Sequence, residues 1–213
     1  SLEKAGFEVI TTTVAQEQLI EYINNHQIDV ILVRSATKVR KDIIDSCPSI
    51  KIIGRGGVGM DNIDVDYARS KDIKVINTPA ASSASVAELV FAHLFGGVRF
   101  LYDSNRNMPL DGDSKFKELK KNYGGGRELR GKTLGIVGLG RIGQEVAKIG
   151  IGCGMKVIAS DKFMETTTIS VAFYDKQKLD FKIQTIPFEQ LLKESDFISV
   201  HVPAQKDYIF GKT

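Results

Sequence analysis

Tryptophan is absent, cysteine occurs twice and proline five times in 213 residues. Cys47 and Cys153 lie far apart in the sequence. They form neither a disulfide framework nor a metal-ligand spacing, and read as reduced thiols in or near a core. No apolar run approaches the roughly 20 residues that cross a bilayer, and no signal peptide opens the chain. One-sided charge is also lacking. There are 29 Lys and Arg against 26 Asp and Glu, giving a formal net charge of +3, and the basic residues are scattered rather than striped. That leaves no electrostatic footprint for nucleic acid. No cluster of residues has a metal-binding spacing. What remains is a cytoplasmic globular protein whose 42% hydrophobic content can fill one large core or two small ones.

Glycine, by contrast, is plentiful, and one stretch uses it in a pattern. Thr133 to Asp161 begins with an apolar run of strand length, Leu134 to Val137. Gly138, Gly140 and Gly143 follow in the spacing G-x-G-x-x-G, then a helical pattern with Ile142, Val146 and Ile149 on one face. A second apolar run, Val157 to Ala159, ends at Asp161. A strand, glycine turn, helix, strand and terminal acid make a dinucleotide-binding βαβ unit. Gly138 allows a sharp turn off the strand. Gly140, lacking a Cβ, lets backbone N–H groups approach a pyrophosphate. Gly143 lets the helix lie close to the sheet. The helix N-terminus offers free N–H groups and partial positive charge, and Arg141 adds a charged contact. Asp161 is placed to accept hydrogen bonds from an adenosine ribose and to repel a 2′-phosphate, favouring NAD over NADP. Lys162 beside it weakens that preference.

Before this unit, strands alternate with helices. Strands are expected at Phe7 to Thr12, Val30 to Val33 (buried), Ile50 to Ile53 and Val75-Ile76. Helices are expected at Glu17 to Asn25, Asp42 to Asp45 (stopped by Pro48) and Val65 to Ser70. That order predicts a parallel α/β sheet. In such sheets ligands bind at the carboxyl ends of strands. Three polar loops occupy those ends, beginning at Arg34, Arg55 and Asn77. Ser85-x-x-Glu88 reads as a capping box opening a long helix. Its period runs through Val86, Leu89, Val90, His93 and Leu94. Asp103 to Gly126 reads as an extended arm and linker. Beyond Asp161 an edge strand at Ile183 to Ile186, a helix at Phe188 to Glu194 and a strand at Phe197 to Val200 are expected. A full dinucleotide fold needs a second mononucleotide half, and one strand does not supply it. The expectation is therefore a piece of a longer protein, with an unprotected sheet edge.

Several stretches together match one family. VRSATKV (Val33–Val39), IIGRGGVGMDNID (Ile52–Asp64), VINTPAASSASVAEL (Val75–Leu89), ELRGKTLGIVGLGRIG (Glu128–Gly143) and FISVHVPAQ (Phe197–Gln205) occur in its order. The chain resembles the D-isomer-specific 2-hydroxyacid dehydrogenases, and the RSATKV loop narrows the match to their phosphoglycerate branch. The resemblance implies two α/β domains with a cleft between them. Residues 1–84 would be a flavodoxin-like substrate domain without its first strand. Residues 85–130 would be an interdomain helix and dimerisation arm, and 131–213 an incomplete Rossmann NAD-binding domain. It implies hydride transfer between C2 of a small anionic 2-hydroxy acid and the nicotinamide of NAD, a place in serine biosynthesis, and a homodimer. The family's catalytic arginine, carboxylate and histidine come later than Thr213, so no catalytic residue is assigned and the chain alone is expected to be inactive. Cofactor positions carried over are Val58, Gly138, Gly140, Arg141, Ile142, Gly143, Asp161, Val202 and Pro203. Substrate positions are Arg34, Ser35, Arg55 and Gly56, since arginines suit a carboxylate and phosphate.

Plainer readings stand beside these. His201, at a strand end, is either a base or a structural residue beside the cofactor. His26 reads as a solvated helix end and His93 as packed at an interface. Asn62 and Asp64 either serve the neighbouring loop or cap the helix at Val65. Ser82 and Ser83 read as bonded to local backbone, and Lys115 to Lys121 as a solvated face. Two other functions stay open: a glyoxylate, hydroxypyruvate or other 2-keto acid reductase, and a non-catalytic NAD-sensing regulator.

Overall fold

The computed structural model describes residues 2–203. The chain divides into two compact units, residues 1–82 and 83–213.

The first unit is built on three short parallel strands: β1 (Val30–Val33), β2 (Ile52–Arg55) and β3 (Lys74–Asn77), in that spatial order. Their register pairs Ile31 with Ile53 and Ile53 with Val75. This row faces α1 (Leu19–Asn25), α2 (Lys41–Ser46) and α3 (Val65–Ser70). Ile23, Ile43, Ile53 and Ala68 are at most 1% exposed where these layers meet. Pro48 follows α2 closely, as expected. The helix positions expected from the sequence therefore hold within a residue or two. β1 differs: it alternates, with Ile31 and Val33 buried but Leu32 64% exposed, rather than being buried on both faces. The strand expected at Phe7 to Thr12 does not form. Residues 7–12 find no ladder partner among the described residues, and Phe7 and Ile10 are exposed. Strand-forming side chains do not make a strand without another strand to bond.

In the second unit β4 (Thr133–Val137) is the middle of a parallel sheet ordered β5-β4-β8, with β5 at Lys156–Ser160 and β8 at Phe197–Val200. Helix α6 (Arg141–Gly152) connects β4 to β5, and α7 (Phe188–Glu194) leads into β8. Helix α4 (Ser83–Val98) packs on α6 through Ala87 and Phe91. It starts two residues before the expected capping box, so Ser85 lies inside the helix. Its buried side follows Ser83, Ala87 and Phe91, which leaves Leu89 57% exposed. The expected extended arm is instead a kinked helix, α5 (Leu101–Tyr123), with Pro109 inside it and a break at Lys115. Local pairs support it: Arg106 bonds the Tyr102 hydroxyl at 2.6 Å and Lys115 meets Asp111 at 3.5 Å, each four residues apart.

The segment after Asp161 holds an antiparallel hairpin, β6 (Thr166–Ala172) and β7 (Lys178–Gln184), where a lone edge strand was expected. One face sets Ile169 and Ile183 into the core shared with α6. The other face carries Thr168, Ser170, Lys178 and Lys182, a period-2 pattern.

Candidate functional site

The glycine turn sits at the carboxyl end of β4. Gly138 has φ +92, and a Cβ on it would stand 2.7 Å from Val202 Cγ1 and 2.9 Å from the His201 carbonyl oxygen. Gly138 thus serves both a left-handed turn and a close crossing of the chain after β8. Gly143 serves packing: its Cβ would fall closer than 3.0 Å to the Gly138 carbonyl oxygen. Gly140 differs. A Cβ there meets no atom within 4 Å, and its φ of −68 suits any residue. The chain itself has no steric need for glycine at this position.

Gly140 is the N-cap of the twelve-residue α6 and has no side chain to satisfy the first turn. The first helical bond runs from the Gln144 N–H to the Gly140 carbonyl at 2.9 Å, so the N–H groups of Arg141, Ile142 and Gly143 have no carbonyl one turn back and lie at the positive end of the helix. Arg141 is exposed beside them, while Ile142 turns toward the core. Asp161 lies across the turn. Its Oδ2 accepts the Leu139 N–H at 2.7 Å, and its Oδ1 accepts the Phe163 N–H at 2.8 Å. Each carboxylate oxygen keeps a further lone pair. Gln144 completes the turn by donating Nε2 to the Leu139 carbonyl at 3.0 Å. The motif does not point to Gln144, since its role depends on how the turn folds back.

Val202 packs against this turn and Pro203 follows it, exposed. His201 is half-buried. Its backbone N–H bonds the Val137 carbonyl at 2.7 Å, and its Nε2 lies 2.8 Å from Ser199 Oγ. Burial pushes its imidazole below the ordinary 6.5. His26 is exposed at the end of α1 and stacks on Tyr22 at 4.2 Å. His93, expected at an interface, is exposed on this single chain and lines an apolar groove with Leu94 and Phe197. Ser83 Oγ, expected to bond local backbone, is buried without a hydrogen-bond partner.

In the first unit Arg34 and Ser35 in the loop after β1, Arg55 as the last residue of β2, and Gly56 and Val58 in the loop after β2 lie at the same end of the sheet. The Gly56 N–H bonds the Val33 carbonyl at 2.9 Å, and the Arg34 stem lies 3.9 Å from where a Gly56 Cβ would stand. Arg34 and Ser35 are exposed. Arg55 is half-buried with its Nε unpartnered, and its guanidinium lies over Gly57, whose φ is +147. A side chain at Gly57 would strike that guanidinium. Val58 is 42% exposed. The third loop is tied to the second: Gly57 N–H donates to Thr78 Oγ1 at 2.9 Å and Asn77 Nδ2 to the Val58 carbonyl at 2.7 Å. Asp64 precedes α3 without capping it. Its carboxylate instead takes Arg40 Nη1 at 2.9 Å and the Lys41 N–H at 3.1 Å.

The family model for the D-isomer specific 2-hydroxyacid dehydrogenase catalytic domain matches residues 1–202. A hydroxypyruvate reductase from Thermotoga maritima is 42% identical over 95% of this chain and 60% of its own length. A D-3-phosphoglycerate dehydrogenase from Methanocaldococcus jannaschii is 38% identical over 95% of this chain and 36% of its own. Among solved structures, an NAD+-bound 3-phosphoglycerate dehydrogenase of Entamoeba histolytica gives a TM-score of 0.66 at 34% identity, covering 96% of this chain and 56% of that one. The chain thus spans from 36% to 60% of the length of these relatives.

Proposed function

The chain belongs to the D-isomer-specific 2-hydroxyacid dehydrogenases, and from that premise we propose that it serves an NAD-dependent oxidoreductase acting on a small D-2-hydroxy acid. The observation that carries the reading is Gly140. Gly138 and Gly143 are explained by the chain's own packing, whereas Gly140 meets no neighbour and leaves room at the helix N-terminus for a group from outside. The residues present fit a dinucleotide. The first-turn N–H groups of α6 would hold the pyrophosphate with Arg141, Asp161 would take the ribose hydroxyls, and Val202 and Pro203 would border the cofactor. NAD, when bound, supplies the hydride acceptor. Asp161 disfavours a 2′-phosphate by charge, and Arg34 and Arg55 hold the substrate's anionic groups.

Within the class, the reading is D-3-phosphoglycerate oxidation in cytoplasmic serine biosynthesis. The arginines at Arg34 and Arg55, and relatives of that name at 35 to 38% identity, support it. A hydroxypyruvate reductase is the second reading, favoured by the relative at 42%. A homodimer joined through α5 fits that helix's exposed Leu101, Tyr102, Leu110 and Phe116.

Calorimetric titration with NADH and NADPH tests the cofactor. Wild-type protein should prefer NADH, and Asp161→Asn should narrow the preference. Equal affinities in both proteins would remove the basis for the assignment. Turnover of D-3-phosphoglycerate no faster than of D-glycerate or D-lactate, in the product of the whole reading frame, would reject the phosphoglycerate reading.

A further inference from the structure

Asn62 is 4% exposed, one of few polar residues in the core of the first unit. Its amide donates both protons to a single loop, to the Arg34 carbonyl at 3.0 Å and the Thr37 carbonyl at 2.7 Å. These two carbonyls bracket Ser35 and Ala36. The backbone on either side of Asn62 joins in. Val39 N–H bonds the Asn62 carbonyl at 2.8 Å, and Asp64 N–H bonds the Val39 carbonyl at 3.0 Å. Arg40 reaches the Asp61 carbonyl at 2.9 Å. The loop after β1 is therefore laced to the loop after β2, and its only internal bond is Thr37 N–H to the Arg34 carbonyl at 3.3 Å. Asn62 Oδ1 has no partner. A buried amide that leaves its acceptor unsatisfied is held there by what its donors do.

We propose that Asn62 is a positioning residue for the anion-binding loop. It sets the backbone that presents Arg34 and Ser35, without itself touching the substrate. The proposal rests on the substrate reading of Arg34. No other residue type offers the same two donors at this reach. Alanine removes both, leaving the Thr37 carbonyl unpaired and the Arg34 carbonyl with only the Thr37 N–H at 3.3 Å. Aspartate sets a carboxylate against those carbonyls.

A double-mutant cycle tests it on the enzyme from the whole reading frame, with NADH affinity measured in parallel. Arg34→Gln should raise KM for the hydroxy acid by on the order of ten-fold, the loss of one charge-assisted contact. Asn62→Ala should raise KM to a similar degree while NADH affinity stays at the wild-type value. The double variant should be no worse than the worse single one, because both changes disable the same arginine. Independent, multiplying effects would overturn the proposal, as would an unchanged KM for Asn62→Ala. An active enzyme indifferent to Arg34→Gln would overturn the substrate reading and the proposal with it. Should Asn62→Ala fail to fold, Asn62→Ser keeps one donor, and the same cycle with it decides by the same criterion.

Discussion

Alanine at position 140 separates a glycine needed by a ligand from one needed by the fold, with alanine at position 143 as its control. At 140 the backbone is extended, with φ −68 and ψ −164, and a methyl group meets nothing within 4 Å. Alanine is a poorer N-cap than glycine by about 0.5–1 kcal/mol. It also removes freedom from the unfolded chain, which stabilises by about 0.4–1 kcal/mol. The two nearly cancel, so Tm should stay within about 2 °C. At 143 the methyl collides with the Gly138 carbonyl and comes within 3.2 Å of Ile136 Cγ2. Overpacking of that kind costs up to about 3 kcal/mol, offset by about 1 kcal/mol of helix propensity. The remaining 2 or so kcal/mol should lower Tm by about 4–8 °C. NADH affinity should respond in the reverse order of concern. The methyl at 140 keeps the pyrophosphate off backbone N–H groups worth about 1.5–3 kcal/mol, a ten- to hundred-fold weakening. Differential scanning fluorimetry and NADH fluorescence titration read the two quantities. Unchanged NADH affinity in Gly140→Ala would refute the ligand argument. A Tm loss at 140 equal to that at 143 would refute the steric one.

Further outcomes follow from burial. Ile169→Ala should destabilise by about 2–5 kcal/mol because that side chain is 1% exposed in the core, whereas Leu179→Ala, at 54% exposure on the same hairpin, should stay within about 0.5 kcal/mol in a urea titration. The His201 imidazole should titrate below 6.5 by NMR, because burial disfavours its charged form. The unfolded chain then binds the proton more tightly, so this contribution to stability is intact above about pH 6.5 and is lost as pH falls through the folded-state value. His201→Gln should flatten that part of the pH–stability curve. An unaltered curve would show that His201 is not its source.

The elements easiest to read were those whose boundaries are local. Val65 to Ser70, Phe188 to Glu194 and Phe197 to Val200 have the ends expected of them. The glycine turn was legible because its spacing is local, although only Gly138 and Gly143 answer a steric demand of the chain and Gly140 does not. What escaped was set by partners distant in sequence. Phe7 to Thr12 has strand composition but no strand to join. The hairpin at Thr166 to Gln184 needed its two weakly patterned halves to be recognised as a pair. In α5, the polar run with Asn105, Asn107, Asp111 and Gly112 read as an extended arm, and a helix kinked at Lys115 forms instead. At the candidate site the charged residues were visible and Asn62 stood out beside the loop, but the bonds that Asn62 and Gln144 make were not. Asn62 and Gln144 act through backbone carbonyls 25 and five positions away, a relation that no spacing rule states.

The hairpin leaves the nucleotide unit and returns to it through a closed gate. Thr185 N–H bonds the Glu165 carbonyl at 2.9 Å, and its hydroxyl bonds the Met164 carbonyl at 2.8 Å. Entry and exit are therefore stitched together before the ribbon begins, and Asp161 keeps its grip on Leu139 upstream of the stitch. The ribbon is in effect an interchangeable cassette. Its length and tip, from Phe173 to Gln177, are free to drift or to be redesigned, provided that Ile169 and Ile183 still fill the core. Asp161 would not register the change.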